Sequence, residues 1–239
     1  MSLSRHAQNW EDLGAVDPLW AILSYPENRF GKGDVESFFR SGDREIDRVM
    51  RTAERLGYPR ERDSVLDFGC GVGRLAPALA TRFQTYYGVD IAASMIAGAE
   101  RYHARLANCH FIVNREDNLR RFDDGQLDLV YTNNVLQHLP SRTLIRSYLR
   151  EFARVIRPGG LIVFQLPDHL SFGKRLQPRR RLYPIFRSVG FSEQFIYRRL
   201  GIAPMSTTFV PEREVAPFLT GLGGRILHVQ RHLGRPGDD

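Results

Sequence analysis

The sequence predicts an α/β protein with a doubly wound, mostly parallel sheet. Three observations predict this fold: short apolar runs recur along the chain, helix-like segments separate them, and a glycine-rich turn follows the first run. Such a sheet carries helices on both faces and binds ligands at the carboxyl ends of its strands. The predicted strands are Ser64–Phe68, Thr85–Val89, His110–Val113, Leu127–Tyr131 and Leu161–Leu166.

Helices are predicted in the intervals between these strands and on either side of the sheet. Asp43 is the expected N-cap of a helix that precedes the first strand. Near the end of the chain, Arg225–Gln230 has the composition of a sixth strand, and a seventh strand is not evident. The predicted helices are Asp43–Leu56, Leu75–Phe83, Ser94–Ala107, Ser141–Ile156 and Glu212–Leu219.

Length and composition indicate one globular unit with additions at its edges. The 239 residues, of which 42% are hydrophobic and 26% charged, are enough for one hydrophobic core. We assign residues 61–239 to this unit, with residues 168–211 as an insertion over the carboxyl edge of the sheet. Residues 1–60 form an N-terminal cap segment and a helix. The cap segment contains Trp10 and Trp20, and we expect it to pack against the sheet unit.

The sequence has no evident signal for membrane insertion or export. The first ten residues lack the apolar region of a signal peptide. No apolar stretch approaches the ~20 residues that span a bilayer. The two cysteines, Cys70 and Cys109, are too few for a disulfide framework, and their spacing is not that of metal ligands. We therefore expect a cytoplasmic protein without a transmembrane segment.

Positive charge is concentrated in one stretch of the chain. Residues 174–199 hold eight Lys or Arg against a single acid, Glu193, in a chain of net charge +7. Bulky apolar residues alternate with these cations, which is typical of an amphipathic surface. Three interpretations stay open: a solvated face, a buried helix with extended arginines, and a surface that meets an anion or a membrane.

The glycine-rich turn directly follows the first predicted strand. Glycine lets the backbone approach a ligand closely, because no Cβ intervenes and positive φ is accessible. Gly71, Gly73 and Ala76 also fit the dinucleotide fingerprint of dehydrogenases, with Asp90 at the expected distance for a ribose contact. The turn alone therefore leaves a nicotinamide enzyme as an alternative.

Four segments in a fixed order narrow this choice. The first is Val65-Leu66-Asp67-Phe68-Gly69-Cys70-Gly71-Val72-Gly73-Arg74, and the second is Gly88-Val89-Asp90-Ile91 with Ser94-Met95. The third is Leu127-Asp128-Leu129-Val130 leading to Val135-Leu136-Gln137-His138-Leu139, and the fourth is Arg154-Val155-Ile156-Arg157-Pro158-Gly159-Gly160. Together they resemble the motifs of class I S-adenosylmethionine-dependent methyltransferases over roughly residues 65–166.

The resemblance implies S-adenosyl-L-methionine as the cofactor and a role for each matching residue. The glycines would pass under the methionine part, Asp67 would orient its ammonium through water, and Asp90 would accept hydrogen bonds from both ribose hydroxyls. Ile91 and Met95 would cover the adenine. The implied cofactor-binding residues are Asp67, Gly69, Cys70, Gly71, Gly73, Asp90, Ile91, Met95, Arg115, Glu116 and Asn133.

One position departs from the family pattern. Members usually carry an acid after the third strand that accepts from the adenine amino group, and this chain has Arg115 there. Arginine has no acceptor. The role would then fall to Glu116, Asp117, Asn114 or a backbone carbonyl.

His138 follows the fourth strand, where an acceptor would meet the methyl group. An imidazole with its reference pKa of ~6.5 suits the removal of a hydroxyl proton at neutral pH, so His138 is the candidate catalytic base. A purely structural role for this histidine is the alternative. The other histidines have no metal-motif spacing, and we predict no metal.

The sequence favours a methyltransferase that acts on a small molecule. The amino-acid sequences of the motifs resemble those of bacterial enzymes of secondary-metabolite or glycan pathways. No Asn-Pro-Pro-Tyr-like signature, which is typical of amino-group methylation, follows the fourth strand, so we expect O-methylation. The acceptor is expected to be anionic or amphiphilic, and DNA is not expected as a partner. The alternatives are an RNA methyltransferase, disfavoured because no RNA-binding module is evident, and a catalytically silent cofactor-binding partner.

Overall fold

The fold is taken from a computed structural model, which describes residues 2–23, 34–170, 178–202, 205 and 207–231. The strands are β1 (Ser64–Phe68), β2 (Thr85–Asp90), β3 (Cys109–Val113), β4 (Leu127–Thr132) and β5 (Ile156–Phe164). The helices are α1 (Leu3–Val16), α2 (Pro18–Ile22), α3 (Val35–Arg55), α4 (Ala76–Ala80), α5 (Ala93–Tyr102), α6 (Arg142–Val155), α7 (Pro178–Ser188), α8 (Glu193–Leu200) and α9 (Glu212–Gly221), with a 3₁₀ turn at Leu136–His138.

The five strands form one parallel sheet in the order β3-β2-β1-β4-β5. The predicted α/β fold class is therefore confirmed. The chain leaves β1 toward β2 on one side and later returns to β4 on the other, so the order reverses between β1 and β4. A crevice opens at the carboxyl ends of strands beside such a reversal, and ligands bind there in open α/β sheets.

Both faces of the sheet are covered, so the central strands are buried throughout. All five residues of β1 and all six of β4 are buried. Leu66 and Phe68 of β1 point toward α6, where they join Tyr148 and Phe152 in one core cluster. Val65 faces the other way, into a second cluster that includes residues from α3 and α4. This alternation along β1 fixes which loop residues reach the carboxyl edge.

The helix before β1 begins earlier than the sequence predicts. The predicted start was Asp43, but α3 runs from Val35, and Asp34 caps it by accepting a hydrogen bond from the Ser37 amide at 2.8 Å. Gly42 therefore lies inside the helix rather than before it. A Cβ at Gly42 would collide with the carbonyl oxygen of Arg74, so this glycine allows α3 to lie directly against the turn after β1.

The sheet differs from the prediction at two places near its β5 edge. β5 begins at Ile156, so the predicted turn Pro158-Gly159-Gly160 lies within a strand, beside a shift in the β4–β5 register between Leu127 and Leu129. The predicted sixth strand, Arg225–Gln230, is wrong, because this segment has no regular structure. Its Ile226 and Val229 are three residues apart, which does not fit the two-residue period of a strand, and both are more than 40% exposed.

Several predicted features fall partly outside the described residues. They include the aromatic residues Tyr25 and Phe30 of the N-terminal segment and the cations Lys174 and Arg175 of the basic stretch. Among the helices that are described, none has the length and apolar character needed to cross a bilayer. The domain boundaries assigned from the sequence stay predictions.

We predict that Gly42→Ala destabilises the protein, although alanine is the better helix former. The added methyl group would press on the Arg74 backbone, and overpacking of this kind costs about 1–3 kcal/mol of unfolding free energy. Gly221→Ala in α9 is the matched control, since a Cβ there meets nothing within 4 Å. Urea denaturation of both variants tests this. Equal stability of the two would show that α3 does not depend on the close approach at Gly42.

Candidate functional site

The glycine-rich turn after β1 is held against the end of β2. The amides of Gly69 and Cys70 both donate to the Val89 carbonyl, at 2.7 and 3.0 Å. Gly69 and Gly71 have φ of 79° and 56°, in the left-handed region that favours glycine. Each also lacks the room for a side chain, because a Cβ at Gly69 would collide with Val135 and one at Gly71 with Ile22. The turn thus exposes bare backbone to the crevice.

Asp90 ends β2 and fastens the same turn. Its carboxylate accepts hydrogen bonds from the amides of Gly71 and Ala92, each at 2.9 Å. Burial raises the pKa of Asp90, and these backbone donors oppose the increase. A carboxylate offers about four lone-pair sites, so two amide donors leave acceptor capacity for a further donor in the crevice.

Asp67 lies beneath the turn and is 3% exposed. Its carboxylate accepts a hydrogen bond from the Tyr86 hydroxyl at 2.9 Å. Burial raises the pKa of Asp67 to about 7, while the Tyr86 hydrogen bond and the nearby Arg74 guanidinium oppose the increase. The carboxyl group therefore titrates near neutral pH, and a cation placed beside it would favour the charged form.

A second acid, Glu45 of α3, lies behind the pocket wall and contacts Arg74 of the turn and the pocket residue Asn133. Arg74 donates to Glu45 Oε2 at 2.6 Å, and Oε1 accepts from the Tyr131 hydroxyl at 2.6 Å and the Asn133 amide nitrogen at 2.9 Å. Burial raises the pKa of Glu45, but the Arg74 charge and these hydrogen bonds outweigh it and lower the pKa overall. Because a carboxylate accepts only, the Asn133 side chain must present its NH₂ group to Glu45.

A pocket opens at the carboxyl ends of β1, β2 and β4, as the strand order predicts. Several residues predicted for the site from sequence line it together. Most of the remaining lining residues come from α1, α2 and the segments after β3 and β4, and they include Trp10, Ile22 and Val135. The predicted site residues that line the pocket are Gly69, Gly71, Asp90, Ile91, Met95, Asn133 and His138.

The other predicted residues are placed outside the lining. Asp67 lies under the turn, the Cys70 thiol is buried with its pKa raised by burial, and Gly73 packs against His103 and Phe111. A thiol with a raised pKa is a poor nucleophile, so the structure gives Cys70 a packing environment rather than a reactive one.

The segment after β3 gives one polar side chain to the pocket. That residue is Asn114, whose amide nitrogen donates to the Asn118 carbonyl at 3.0 Å, while its Oδ1 faces the Glu116 amide at 3.3 Å. Arg115 instead forms an ion pair with Glu11 at 3.6 Å. Of the side chains that are candidates for the adenine amino group, Asn114 lines the pocket, whereas Glu116 and Asp117 do not. Arg115, which was also predicted for the cofactor site, lies outside the lining as well.

His138 lies in the 3₁₀ turn after β4, half-buried at the pocket wall. Its Nε2 is 3.3 Å from the Gln137 amide nitrogen. An amide nitrogen only donates, so this contact favours an unprotonated Nε2, the form that a general base needs. The ring of Trp10 packs edge-on against the imidazole, with 5.5 Å between centroids.

Helix α1 is fixed to the sheet unit through Glu11. Both oxygens of its carboxylate accept from the first amides of α5, Ala93 at 2.7 Å and Ser94 at 2.9 Å. An acid at a helix N-terminus interacts favourably with the unpaired amides and the helix dipole. This contact places His6 and Trp10 of the same helix at the pocket.

Sequence reasoning missed Glu11, Glu45 and the pocket role of Tyr148. Glu11 lies in the N-terminal cap segment and Glu45 in the predicted helix Asp43–Leu56, and neither belongs to a recognisable motif. Their hydrogen-bond partners lie 29 to 88 residues away in the sequence. Tyr148 lies in a helix that the sequence predicts, but nothing in the sequence indicated that it lines the pocket, where its hydroxyl donates to the Glu116 carbonyl. The sequence offered one indication for this part of the site: the aromatic residues of the N-terminal segment predicted that this segment packs against the sheet unit.

Comparison with known proteins agrees with this geometry. A family model described as a methyltransferase domain matches residues 66–164. Trans-aconitate 2-methyltransferase of Deinococcus radiodurans is 31% identical over 178 residues, which cover 72% of this chain and 62% of the relative. Ubiquinone biosynthesis O-methyltransferase of Paracidovorax citrulli is 33% identical over 157 residues, which cover 62% of this chain and 61% of the relative. The chain thus spans about three-fifths of the length of these relatives.

The fold is also found in a solved structure. Magnesium protoporphyrin IX methyltransferase from Synechocystis PCC 6803, solved with bound S-adenosylhomocysteine, superimposes with a TM-score of 0.58 at 18% identity, over 93% of this chain and 89% of that chain. Family model, sequence relatives and fold lead to the same group. Residues 66–164 therefore form a methyltransferase domain, and the chain has the fold of class I S-adenosylmethionine-dependent methyltransferases.

Proposed function

We propose that this protein transfers a methyl group from S-adenosylmethionine to a hydroxyl oxygen of a small molecule, in a secondary-metabolite or glycan pathway. The observation that carries the proposal is the shared pocket: the Asp90 end, suited to a ribose, and the His138 end, suited to an acceptor, line one crevice. A cofactor held at the first end would therefore present its methyl group toward the second.

The residues around the glycine turn fit the cofactor. Gly69 and Gly71 line the pocket with backbone alone, and Asp90 keeps acceptor capacity for a neutral diol. A carboxylate there would repel the 2′-phosphate of a phosphorylated dinucleotide. The Asn133 amide oxygen is left for a donor in the pocket, because Glu45 holds its NH₂ group. Asp67, as an anion, would favour a nearby ammonium.

Methyl transfer needs alignment and the removal of one proton. When bound, S-adenosylmethionine supplies a methyl group on a sulfonium, whose neutral thioether is a good leaving group. The acceptor oxygen would take this methyl group as the thioether leaves, and His138 Nε2 would accept the hydroxyl proton. To receive it, Nε2 exchanges its contact with the Gln137 amide for the acceptor hydroxyl. Trp10 packs on the imidazole and limits its rotation.

The nature of the pocket walls supports a small acceptor. Aromatic and aliphatic side chains from α1, α2 and the β4 turn surround the His138 end, including Trp10, Val135 and Leu139. Of the two relatives, one is named as a methyltransferase of trans-aconitate and the other as an O-methyltransferase of ubiquinone biosynthesis, which supports a small acceptor and, for the second, oxygen. Both cysteines are free, which supports a location in the cytoplasm.

The direct test is acceptor-dependent release of S-adenosylhomocysteine. The protein is incubated with S-adenosylmethionine and a panel of hydroxylated metabolites and glycans, beside bulk RNA. Turnover with a hydroxylated small molecule supports the proposal. Turnover with RNA alone would assign the chain to the RNA-modifying class, and cofactor binding without turnover on any acceptor would assign it a silent, cofactor-binding role.

We predict that S-adenosylhomocysteine stabilises the fold and that Asp90→Ala removes this effect. A ligand specific for the folded state adds ~2.7 kcal/mol at a hundredfold excess over Kd. Because Asp90 also fastens Gly71 and Ala92, the variant should be less stable even without ligand, by about 1–3 kcal/mol. Each variant's Tm is therefore compared with and without ligand, and the exposed Asp123→Ala is the control. A shift with NADH and none with S-adenosylhomocysteine would contradict the proposal.

We predict that S-adenosylhomocysteine binds more weakly as the pH falls below 7. The pKa of Asp67 is raised to about 7 by burial, so acidification protonates the carboxyl group and removes the anion that favours the ligand's ammonium. Kd should rise by up to about tenfold per pH unit between pH 7 and 5. In Asp67→Asn, which keeps an acceptor for Tyr86, calorimetry should give a weaker and nearly pH-independent Kd. A parallel pH dependence in both proteins would exclude Asp67 as its source.

We predict that His138→Ala lowers kcat by ~10²–10⁴ while the Kd for S-adenosylhomocysteine stays the same, because a general base acts on the acceptor and not on cofactor binding. The exposed His110→Ala serves as the control. If His138 only supports the turn after β4, the variant should instead lose thermal stability and keep its turnover per folded molecule.

A further inference from the structure

Helices α7 and α8 pack together through a small apolar cluster of their own. Tyr183 of α7 and Ile196 of α8 are buried in it, with Ile202 beyond the end of α8 and Phe186 at its margin. These contacts use one side of α7. The other side of α7 carries apolar side chains that are exposed to solvent.

The exposed side of α7 is apolar. Leu182, Ile185 and Val189 are 43%, 55% and 71% exposed. Leu182 and Ile185 lie three residues apart on one side of α7, and Val189 follows directly after the helix, with its amide bonded to the Ile185 carbonyl. Phe186 borders these side chains and packs edge-on against Phe191, with 5.8 Å between centroids.

Two aromatic rings extend this apolar surface across the turn into α8. Phe191 stacks on Phe195 at 5.2 Å, and these rings are 38% and 41% exposed. Single exposed apolar residues are ordinary on a protein surface, but a continuous group of large ones marks an interaction site. We name this group the α7–α8 face; it consists of Leu182, Ile185, Val189, Phe191 and Phe195.

Positive charge accompanies the α7–α8 face. Arg187 is exposed and its guanidinium donates to the Phe191 carbonyl at 3.0 Å, which holds a cation beside the aromatic pair. Arg199, also exposed, lies one helical turn after Phe195. In sequence, residues 174–199 carry eight cations and one acid. A partner for this face must therefore offer an apolar layer beneath a layer of negative charge.

The α7–α8 hairpin is attached to the segment that lines the pocket. The Tyr197 hydroxyl of α8 donates to Asp17 at 2.8 Å, and its ring lies 5.1 Å from that of Trp20 in α2. The next residues of α2, Ala21 and Ile22, line the pocket. A surface bound by the α7–α8 face would thus lie next to the elements around the candidate site.

We propose that the α7–α8 face docks on an anionic lipid bilayer. The large apolar side chains enter the boundary between headgroups and acyl chains, while Arg187 and Arg199 stay at the level of the phosphates. An amphipathic helix with cations beside its apolar stripe binds anionic bilayers in this way, lying in the interface rather than crossing it. A second copy of this chain would meet like charge on its own α7–α8 face, which disfavours a symmetric dimer through it. The proposal does not depend on the acceptor that is methylated.

The test is co-sedimentation of the full chain with vesicles. Vesicles of phosphatidylglycerol mixed with phosphatidylcholine should carry the protein down at about 0.1 M salt, and vesicles of phosphatidylcholine alone should not. Ile185→Ser combined with Val189→Ser should reduce binding by about tenfold, because two membrane-inserting side chains are lost. Arg187→Gln combined with Arg199→Gln should reduce it by about fivefold for each arginine.

Matched controls use residues of similar exposure elsewhere. Ile226→Ser combined with Val229→Ser removes two apolar side chains that are 43% and 44% exposed, and Arg48→Gln combined with Arg51→Gln removes two exposed cations of α3. Both control pairs should sediment like the unaltered protein, with all variants folded by thermal denaturation. Equal loss in the controls, equal binding to neutral vesicles, or no binding to anionic vesicles would overturn the proposal. So would a dimer in solution that the Ile185 and Val189 pair dissociates, or tight RNA binding that the Arg187 and Arg199 pair abolishes.

Discussion

The hydrogen bonds between the glycine turn and the end of β2 are the constraint on which the site depends. Val89 receives two amides of the turn through its carbonyl, and Asp90 receives a third through its carboxylate. The turn is thus held against the end of β2, where Gly69, Gly71 and Asp90 line one pocket. Only glycine fits at Gly69 and Gly71, where neighbouring side chains from the β4 turn and α2 come within contact of the backbone.

Two buried acids, Glu45 and Asp67, lie beside the same turn. The number of hydrogen-bond donors and cations around each acid explains why their pKa values shift in opposite directions. Glu45 is paired with the Arg74 guanidinium and two further donors, so its pKa is lowered despite burial. Asp67 has one hydroxyl donor, from Tyr86, and burial dominates, so its pKa rises to about 7. A fully paired acid is held as a fixed anion, whereas an underpaired acid can respond to a ligand. The two acids therefore differ in ionisation: Glu45 is held as an anion, and the Asp67 carboxyl group can gain or lose its proton near neutral pH.

The sequence predicted the elements that have a local pattern, and it failed for features that depend on contacts between residues far apart in the chain. β1 to β4 were predicted within a few residues, because buried strands and the glycine turn have strong local signals. The predicted start of α3 at Asp43 was wrong. Glycine is a poor helix former, and only the contact with the Arg74 backbone shows why Gly42 is needed inside this helix. The sixth strand was wrong because β-compatible residues need a neighbouring strand as well as composition. Glu11 was missed because it caps α5 from 82 residues away.

Helices α1 and α2 link the parts of the molecule that ligands would contact. Glu11 ties them to α5 and hence to the Asp90 end of the pocket, while Asp17 and Trp20 tie them to α8. Their own side chains lie over the site: Trp10 against the imidazole and Ile22 against the glycine turn. The N-terminal segment therefore contacts the pocket through Trp10 and Ile22 and contacts α8 through the Tyr197–Asp17 hydrogen bond. Its placement depends on partners in both α5 and α8, which is why local sequence pattern does not determine it.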